Sequence, residues 1–469
     1  MAFMRITSPR WRAIFRHSLP RNNRFYHSEP QRSFDIVTWG FGNKSMTYYK
    51  RYESVEETED ANGPSFAQVG PKILSMGIPN RAPIAAGAFH FLIGFTYDNG
   101  CGFLSGGLSN SHGQLGNGNR IKKESTPLVT VQNLEMLALS CGFEHSMVLA
   151  REKETQSDSL GWRLFSSLSS SLLPQTAART RLYAFGSSEY GQLGLGDCRD
   201  GQPNESSDQM GSEPMCQPFP TMVELPDLDE NVIQVQCGLL HTVLLTDQGN
   251  LYAMGHGQQL GLGPDSTSNR AVPTLIERLS WKAQGKEFGR VKQISSSSGF
   301  TLALLENNQV WIWGATPDGQ SMINRRTGWI LEPMHVPHPI PETETIVSVA
   351  AGGTFALLLT ESGKVYTCGA GVLGLGPEKT QVLMPEHITS LSGITKIVAS
   401  TFHAGAIDDK GHLYTWGQCG DTGRLGHQMF GDCYEPKRVV MKDELNGHKV
   451  IVTDVALGIG GGVARFERA

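Results

Sequence analysis

Seven short runs of β-branched, aromatic and aliphatic residues each end on a glycine, and this repeated unit constrains the fold more than any other feature of the chain. The glycines lie at positions 40, 106, 186, 255, 314, 369 and 417, so their spacing runs from 48 to 80 residues. A four-stranded propeller blade takes about 40 to 50 residues. The surplus must therefore lie in loops.

Each copy holds several strands. In the fourth copy, the apolar runs Val232–Gly238, His241–Leu245 and Leu251–Gly255 are separated only by short turns. Between the last two runs, Asp247-Gln248-Gly249-Asn250 supplies residues that tolerate the positive φ of a hairpin. Short apolar runs rich in β-branched residues and bounded by such turns predict consecutive antiparallel strands and an all-β chain.

Two motifs recur at fixed places in the copies. The loops at 112–118 and 190–196 both contain Gly-Gln-Leu-Gly, and a Gly-x-x-His pair recurs at 87–90, 142–145 and 238–241. With these motifs the chain resembles the regulator-of-chromosome-condensation repeat family from about residue 34 to its end. The resemblance implies a seven-bladed β-propeller over residues 34–469.

Within that family the chain is most similar to the mitochondrial, exchange-factor-like branch named after the Williams–Beuren region. The shared run extends from Gly363 to Pro377. This resemblance implies two alternative functions. One is a guanine-nucleotide exchange factor or regulator of a mitochondrial GTPase, such as the dynamin-related fusion GTPase of the inner membrane. The other is a non-enzymatic scaffold in mitochondrial rRNA stability and large-ribosomal-subunit assembly, contacting ribosomal RNA or RNA-processing proteins.

The two ends of the repeat region complement each other. The first run, Ile36–Gly40, lacks the strands that precede it in other copies, whereas Val450–Gly458 and Val463–Phe466 lack the strand that follows. We therefore expect the N- and C-terminal strands to share one blade. Such a blade would seal the ring and leave no open edge between its ends.

Recurrent histidines and glycines could suggest chemistry, but the repeat explains them. His90, His145, His241 and His403 occupy equivalent positions in different copies. We therefore interpret them as satisfied structural histidines that bond neighbouring backbone, rather than as ligands or bases. Phe300 and Phe355 stand at the same position in two other copies. These departures leave the fold prediction intact and prevent a residue-by-residue transfer of function.

No sequence motif predicts an enzyme. Gly369–Gly374 fits the Gly-x-Gly-x-x-Gly pattern of dinucleotide sites, but no helical periodicity follows it, so we reject that interpretation. The chain has no P-loop and no Gly-x-Ser-x-Gly elbow, and its eight cysteines form no Cys-x-x-Cys pair. We expect a monomeric binding protein with no catalytic residue, metal or cofactor.

Residues 1–28 have the composition of a mitochondrial presequence. They contain six arginines and no acidic residue, with Trp11, Ile14, Phe15 and Leu19 at helical spacing. A disordered basic tail is the alternative. We expect the matrix as the compartment, with peripheral inner-membrane association as an option. Without residues 1–28 the chain keeps 34 basic and 45 acidic residues, a net charge near −11 that disfavours non-specific nucleic-acid binding.

Three insertions interrupt the repeats, at about residues 45–65, 151–181 and 198–219. The first is acidic and the third is polar and predicted to be disordered. The second contains Trp162, Phe165 and five leucines at spacing typical of an amphipathic helix. This insertion is either a docking element for a partner or membrane, in which Trp162 and Phe165 make contact, or a lid packed on its own propeller.

Overall fold

Seven four-stranded antiparallel sheets surround a central channel, which confirms the all-β, seven-bladed propeller predicted from the sequence. The computed structural model describes residues 34–40, 72–78, 83–97, 100–120, 129–132, 134–153, 179–198, 215–225, 230–280, 289–337, 339–420, 423–427, 431–441, 447 and 449–468. Two single-turn 3₁₀ helices, Gly257–Gln259 and Glu277–Leu279, are the helices of this part of the chain.

Short, largely apolar strands alternate with turns along the chain. In chain order they are β1 (Phe34–Gly40), β2 (Lys72–Ile78), β3 (Ile84–Ala86), β4 (His90–Tyr97), β5 (Gly100–Gly107), β6 (Val129–Gln132), β7 (Leu134–Cys141), β8 (His145–Glu152), β9 (Thr180–Ser187), β10 (Cys216–Val223), β11 (Val232–Cys237), β12 (His241–Thr246), β13 (Leu251–Gly255), β14 (Arg270–Leu275), β15 (Val291–Ser296), β16 (Phe300–Leu305), β17 (Val310–Ala315), β18 (Trp329–Val336), β19 (Ile346–Ala351), β20 (Phe355–Thr360), β21 (Val365–Ala370), β22 (Gln381–His387), β23 (Ile394–Ala399), β24 (His403–Asp408), β25 (Leu413–Gly417), β26 (Cys433–Arg438), β27 (Val450–Leu457) and β28 (Gly461–Arg468).

Blades 1 to 6 each use four consecutive strands, from β3–β6 to β23–β26, and blade 7 joins both ends of the chain. In blade 7 the sheet order is β2-β1-β28-β27, with Thr38 opposite Val463 and Val463 opposite Ala456. The first strand of every blade lines the channel, and β27 contacts β3. The predicted closure by terminal strands sharing one blade is therefore confirmed.

The hydrophobic core is divided among the blade interfaces. Each of the seven interfaces between neighbouring blades holds one cluster of buried apolar side chains. Trp313 and Trp416, among the largest fully buried side chains, fill the interfaces between blades 3 and 4 and between blades 5 and 6. The ring is thus stabilised by contacts between sheets, and each blade depends on both neighbours.

The repeated glycine that ends the third strand has a steric cause. At Gly255 the backbone has φ +115°, and an added Cβ would lie 2.4 Å from the carbonyl oxygen of Leu240. No side chain fits there, because the first turn of the blade crosses this position. In blade 1 the equivalent residue is Gly107, which pairs with His90, and not Gly106 as the sequence pattern suggested.

The insertions leave the blades at defined strands. Strands β8 and β9 pair as far as Arg151 and Thr180, so both ends of the predicted insertion 151–181 belong to these strands of blade 2. Residues 154–178 lie outside the described residues. The predicted polar insertion 198–219 is shorter than expected, because Cys216 and Gln217 already pair with β9 as the start of β10. Residues 45–65 lie outside the described residues. Within the described part, no helix has the length and apolarity to span a membrane.

Candidate functional site

The propeller presents two different faces. The turns between first and second strands and the loops between third and fourth strands form one face, which we name the turn face. The hairpins between second and third strands form the other, which we name the hairpin face; it carries the segment 151–181. Trp162 and Phe165 lie outside the described residues, so their predicted contact role stays a prediction.

On the turn face, buried histidines connect neighbouring blades. The Nε2 atoms of His90, His145 and His241 lie 2.7, 3.1 and 3.1 Å from hydroxyl oxygens of Ser146, Thr242 and Thr301 on the next blade. The same Ser146 hydroxyl donates to the carbonyl oxygen of Gln114, and the Thr242 hydroxyl donates to that of Gln192. The sets of His90 and His145 thus each join a histidine, the next blade and a Gly-Gln-Leu-Gly loop.

The electrostatics agree with a structural role for these histidines. Burial lowers the pKa of His90 and His145 to about 3 and that of His241 to about 4. A neutral ring that is sealed from solvent cannot exchange protons with a substrate near pH 7. The interpretation of these three histidines as structural therefore agrees with the geometry, although Nε2 faces a side-chain hydroxyl of the next blade where the sequence predicted neighbouring backbone.

The residue of the next blade that faces the histidine position changes with the side chain at that position. Phe300 and Phe355 replace histidine in blades 4 and 5, and the next blades then carry Ala356 and Ala404 where blades 2, 3 and 4 carry a hydroxyl. His403 of blade 6 breaks this pattern, because blade 7 presents Gly462 at that place. Within the described residues, neither ring nitrogen of His403 has a hydrogen-bond partner.

Closure of the propeller by the N-terminal strand explains why His403 faces no hydroxyl. A Cβ on Gly462 would lie 2.4 Å from the indole of Trp39, which comes from the N-terminal strand β1. The indole Nε1 donates to the carbonyl oxygen of Arg424 at 2.8 Å, as the Ser146 and Thr242 hydroxyls do to their loops. Trp39 thus replaces the hydroxyl and leaves His403 without it.

An arc of apolar side chains surrounds most of the channel mouth on the turn face. It occupies the first turns of blades 6, 7, 1, 2 and 3, and we name it the mouth arc: Phe402, Ile459, Phe89, Phe143, Leu239 and Leu240. Blades 4 and 5 interrupt it with Ser298, Gly299, Gly353 and Thr354. All six side chains are partly or clearly exposed, and Phe402 is 39% exposed.

The channel below the mouth is small and uncharged near the turn face. Its cavity of about 260 Å³ is lined by backbone and by residues such as Gln236, Ser295 and Ser400. Side chains bridge its strands; the Gln234 amide, for example, donates to the carbonyl of Ile294 and accepts from its N–H. Polar side chains of the lining thus join neighbouring strands, and the described lining residues include no acid–base pair.

The glycine-rich loop of blade 5 supports the rejection of a dinucleotide site. Gly369, Gly371, Gly374 and Gly376 all have positive φ, and the chain then enters strand β22 rather than a helix. Among the described residues, no group of His, Cys, Asp or Glu side chains is arranged to hold a metal ion. All eight cysteines are free thiols.

Comparisons with known proteins agree with this architecture. The mouse and human RCC1-like G exchanging factor-like proteins are each 27% identical over 348 and 350 residues, covering 71% of this chain and 62% of those proteins. This chain thus spans less than two thirds of their length. The crystal structure of human WBSCR16 aligns with a TM-score of 0.69 and 22% identity, covering 93% of this chain and 99% of that one.

The structure of Prp20p from Saccharomyces cerevisiae aligns with a TM-score of 0.63 and 19% identity over 95% of this chain and 93% of that one. At these identities the structural likeness shows the fold alone. A model of the RCC1-like domain matches residues 181–465. Since this match covers more than half of the chain, the protein belongs to the RCC1-like domain family of seven-bladed propellers.

Proposed function

We propose that this protein is a mitochondrial regulator of a GTPase, that it acts as a guanine-nucleotide exchange factor, and that its partner is the dynamin-related fusion GTPase of the inner membrane. The observation that carries the proposal is the mouth arc, a partly exposed apolar surface fixed on a closed ring. Two kinds of relative add support. The mouse and human proteins carry exchange-factor-like names, and the Prp20p structure is described together with the binding of Prp20p to Gsp1p and histones.

Nucleotide exchange suits a surface without catalytic groups. An exchange factor forms and breaks no covalent bond. It binds the nucleotide-free GTPase more tightly than the loaded form and so shifts the population toward nucleotide release. A rigid ring helps, because a surface that is already ordered loses little conformational entropy when it binds.

The alternative role, a scaffold in mitochondrial rRNA stability and large-subunit assembly, has less support. On the turn face the cations Arg270, Arg325 and Lys379 are interspersed with the carboxylates Asp265 and Glu378. A continuous basic stripe with stacked aromatic residues is the usual surface for single-stranded RNA. Crosslinking of RNA to the protein in isolated mitochondria tests this alternative, and strong enrichment of ribosomal RNA would favour it over the exchange-factor proposal.

Release of labelled GDP from purified mitochondrial GTPases, with and without the full chain, tests the proposed activity. We expect faster release from one GTPase at stoichiometric concentrations of the two proteins. Unchanged release from every candidate would refute exchange activity toward them. A reporter fused to residues 1–30 tests the compartment separately, and cytosolic fluorescence would contradict the mitochondrial assignment.

A further inference from the structure

Blade 6 departs from the repeat at the position that the glutamine of Gly-Gln-Leu-Gly occupies in the loop between third and fourth strands. Blades 1, 2, 3 and 4 carry glutamine there: Gln114, Gln192, Gln259 and Gln320. In three of them the side-chain oxygen accepts the N–H of the residue two positions earlier, at 2.9 to 3.1 Å. Blade 6 carries Arg424. An arginine has no acceptor atom, so it cannot make this loop bond.

Arg424 instead extends toward the channel mouth. Its guanidinium lies over the ring of Phe402 with 4.9 Å between the guanidinium carbon and the ring centroid. The side chain is half-buried, and burial lowers its pKa while the Asp432 carboxylate acts in the opposite direction. Phe402 is the most exposed residue of the mouth arc. A cation and an aromatic ring are thus held together at one end of the arc.

The residue next to this pair provides an independent observation. His403 is fully buried, and neither of its ring nitrogens has a partner among the described residues. In blade 3 the equivalent His241 has partners for both, one of them the loop residue Gln259. Leaving buried polar atoms unpaired costs stability. Such departures from local rules concentrate at functional sites.

We propose that the Phe402–Arg424 pair anchors a carboxylate of the protein that docks on the mouth arc. The proposal rests on the proposed function, in which that protein is a GTPase. The planar guanidinium matches a carboxylate with two parallel hydrogen bonds, which strengthen where water is partly excluded. Arginine and aromatic residues also dominate the energetic centres of protein interfaces.

A protein carboxylate fits this position better than a nucleic-acid phosphate. The neighbours of the pair along the arc, Ile459 and Phe89, are apolar. Nucleic acid is bound through many cations, and the chain has a net charge of −5. The apolar arc and the half-buried guanidinium of Arg424 at its end therefore indicate a protein surface with an acidic side chain at its edge.

Arg424→Gln is the decisive variant, because four other blades carry glutamine at this position and fold around it. Arg326→Gln is the matched control; that arginine is exposed on the outer loop of blade 4 and bonds Gln381. Arg424→Lys keeps the positive charge but lacks the planar guanidinium that can donate two parallel hydrogen bonds. The full-length proteins are compared for the identity and amount of captured proteins in a cell extract, and for Kd with each identified partner.

We expect Arg424→Gln to weaken binding of the partner about 30-fold or more, as at other interface centres. Arg424→Lys should recover part of the loss, and Arg326→Gln should change Kd less than threefold. Equal thermal stability of all four proteins would show that the ring is intact. If the wild type binds a GTPase and Arg424→Gln binds it equally, the anchor is refuted and the proposed function stands.

If the wild type instead captures a partner that is not a GTPase and Arg424→Gln alone loses it, the anchor stands and the proposed function fails. If Arg424→Gln affects only capture of RNA, the protein-carboxylate assignment is overturned. Capture of no protein that depends on Arg424 overturns it as well.

Discussion

Replacing His403 with phenylalanine should stabilise the propeller, although the residue is fully buried. Both ring nitrogens of His403 lack partners among the described residues, and an unsatisfied buried polar group costs about 1 to 3 kcal/mol. Blades 4 and 5 carry phenylalanine at this position, so the fold accommodates it. The residue three positions earlier, in the first turn, is serine both in blade 4 and in blade 6. We therefore expect a gain in unfolding free energy of about 1 to 3 kcal/mol.

The pH dependence gives the prediction a second measurement. Burial, helped by the charge of Arg424, lowers the pKa of His403 from 6.5 to about 3. Above pH 6.5 the ring is neutral in both states, so it adds no pH dependence. Below that value the unfolded chain binds a proton that the folded protein cannot, and stability falls. At pH 5 this linkage costs the wild type about 2 kcal/mol, which phenylalanine would remove.

Urea denaturation at pH 7.5 and pH 5 measures both effects. His241→Phe is the matched control, because both nitrogens of His241 are bonded and its loss leaves the Gln259 side chain buried without its partner. We expect that control to lose about 1 to 3 kcal/mol at pH 7.5. A loss of stability in His403→Phe similar to that of His241→Phe would refute the reasoning, since it would show that the His403 ring makes a favourable polar contact.

Three further predictions concern the ring and its insertion. Deleting residues 450–469 removes β27 and β28, the two inner strands of the closing blade, so cooperative thermal unfolding should disappear; a truncated chain that still melts sharply would contradict the closure argument. Gly255→Ala should lower the free energy of unfolding, measured by chemical denaturation, by about 2 to 4 kcal/mol, because strained φ and a backbone clash combine. Gly263→Ala, where φ is +99° and a Cβ meets open space, should lower it by less than half of that. The double change of Trp162 and Phe165 to alanine should leave the melting temperature nearly unchanged and weaken partner capture; a large drop in melting temperature would show that the segment packs on the ring.

The sequence was informative wherever the repeat is local. Short apolar runs, turn residues and the Gly-x-x-His pairs specify each sheet within about 50 residues, so the blade number and the closing blade could be predicted. Because the glycine-rich loop and the histidines recur at equivalent positions of the copies, both could be interpreted as structural. In blade 1 the pattern placed the repeat glycine one residue early, because Gly106 and Gly107 are adjacent and only strand pairing distinguishes them.

The candidate site could not be predicted in the same way, because its residues belong to different copies. Nothing in the local sequence around His403 indicates that its neighbour on the next blade is Gly462, or that Trp39 takes the place of a hydroxyl. The bond from Trp39 to Arg424 joins residues 385 positions apart and exists only once the ring has closed.

By itself, the sequence determined that this chain is a closed ring of seven sheets, since strand and turn preferences act over a few residues and repeat along the chain. The tertiary structure decided which side chains meet across the blade interfaces and which form the mouth arc. It also placed Arg424 over Phe402, beside a histidine whose ring nitrogens have no hydrogen-bond partner in the described part of the chain. The physical reason is that these contacts depend on the packing of one blade against the next.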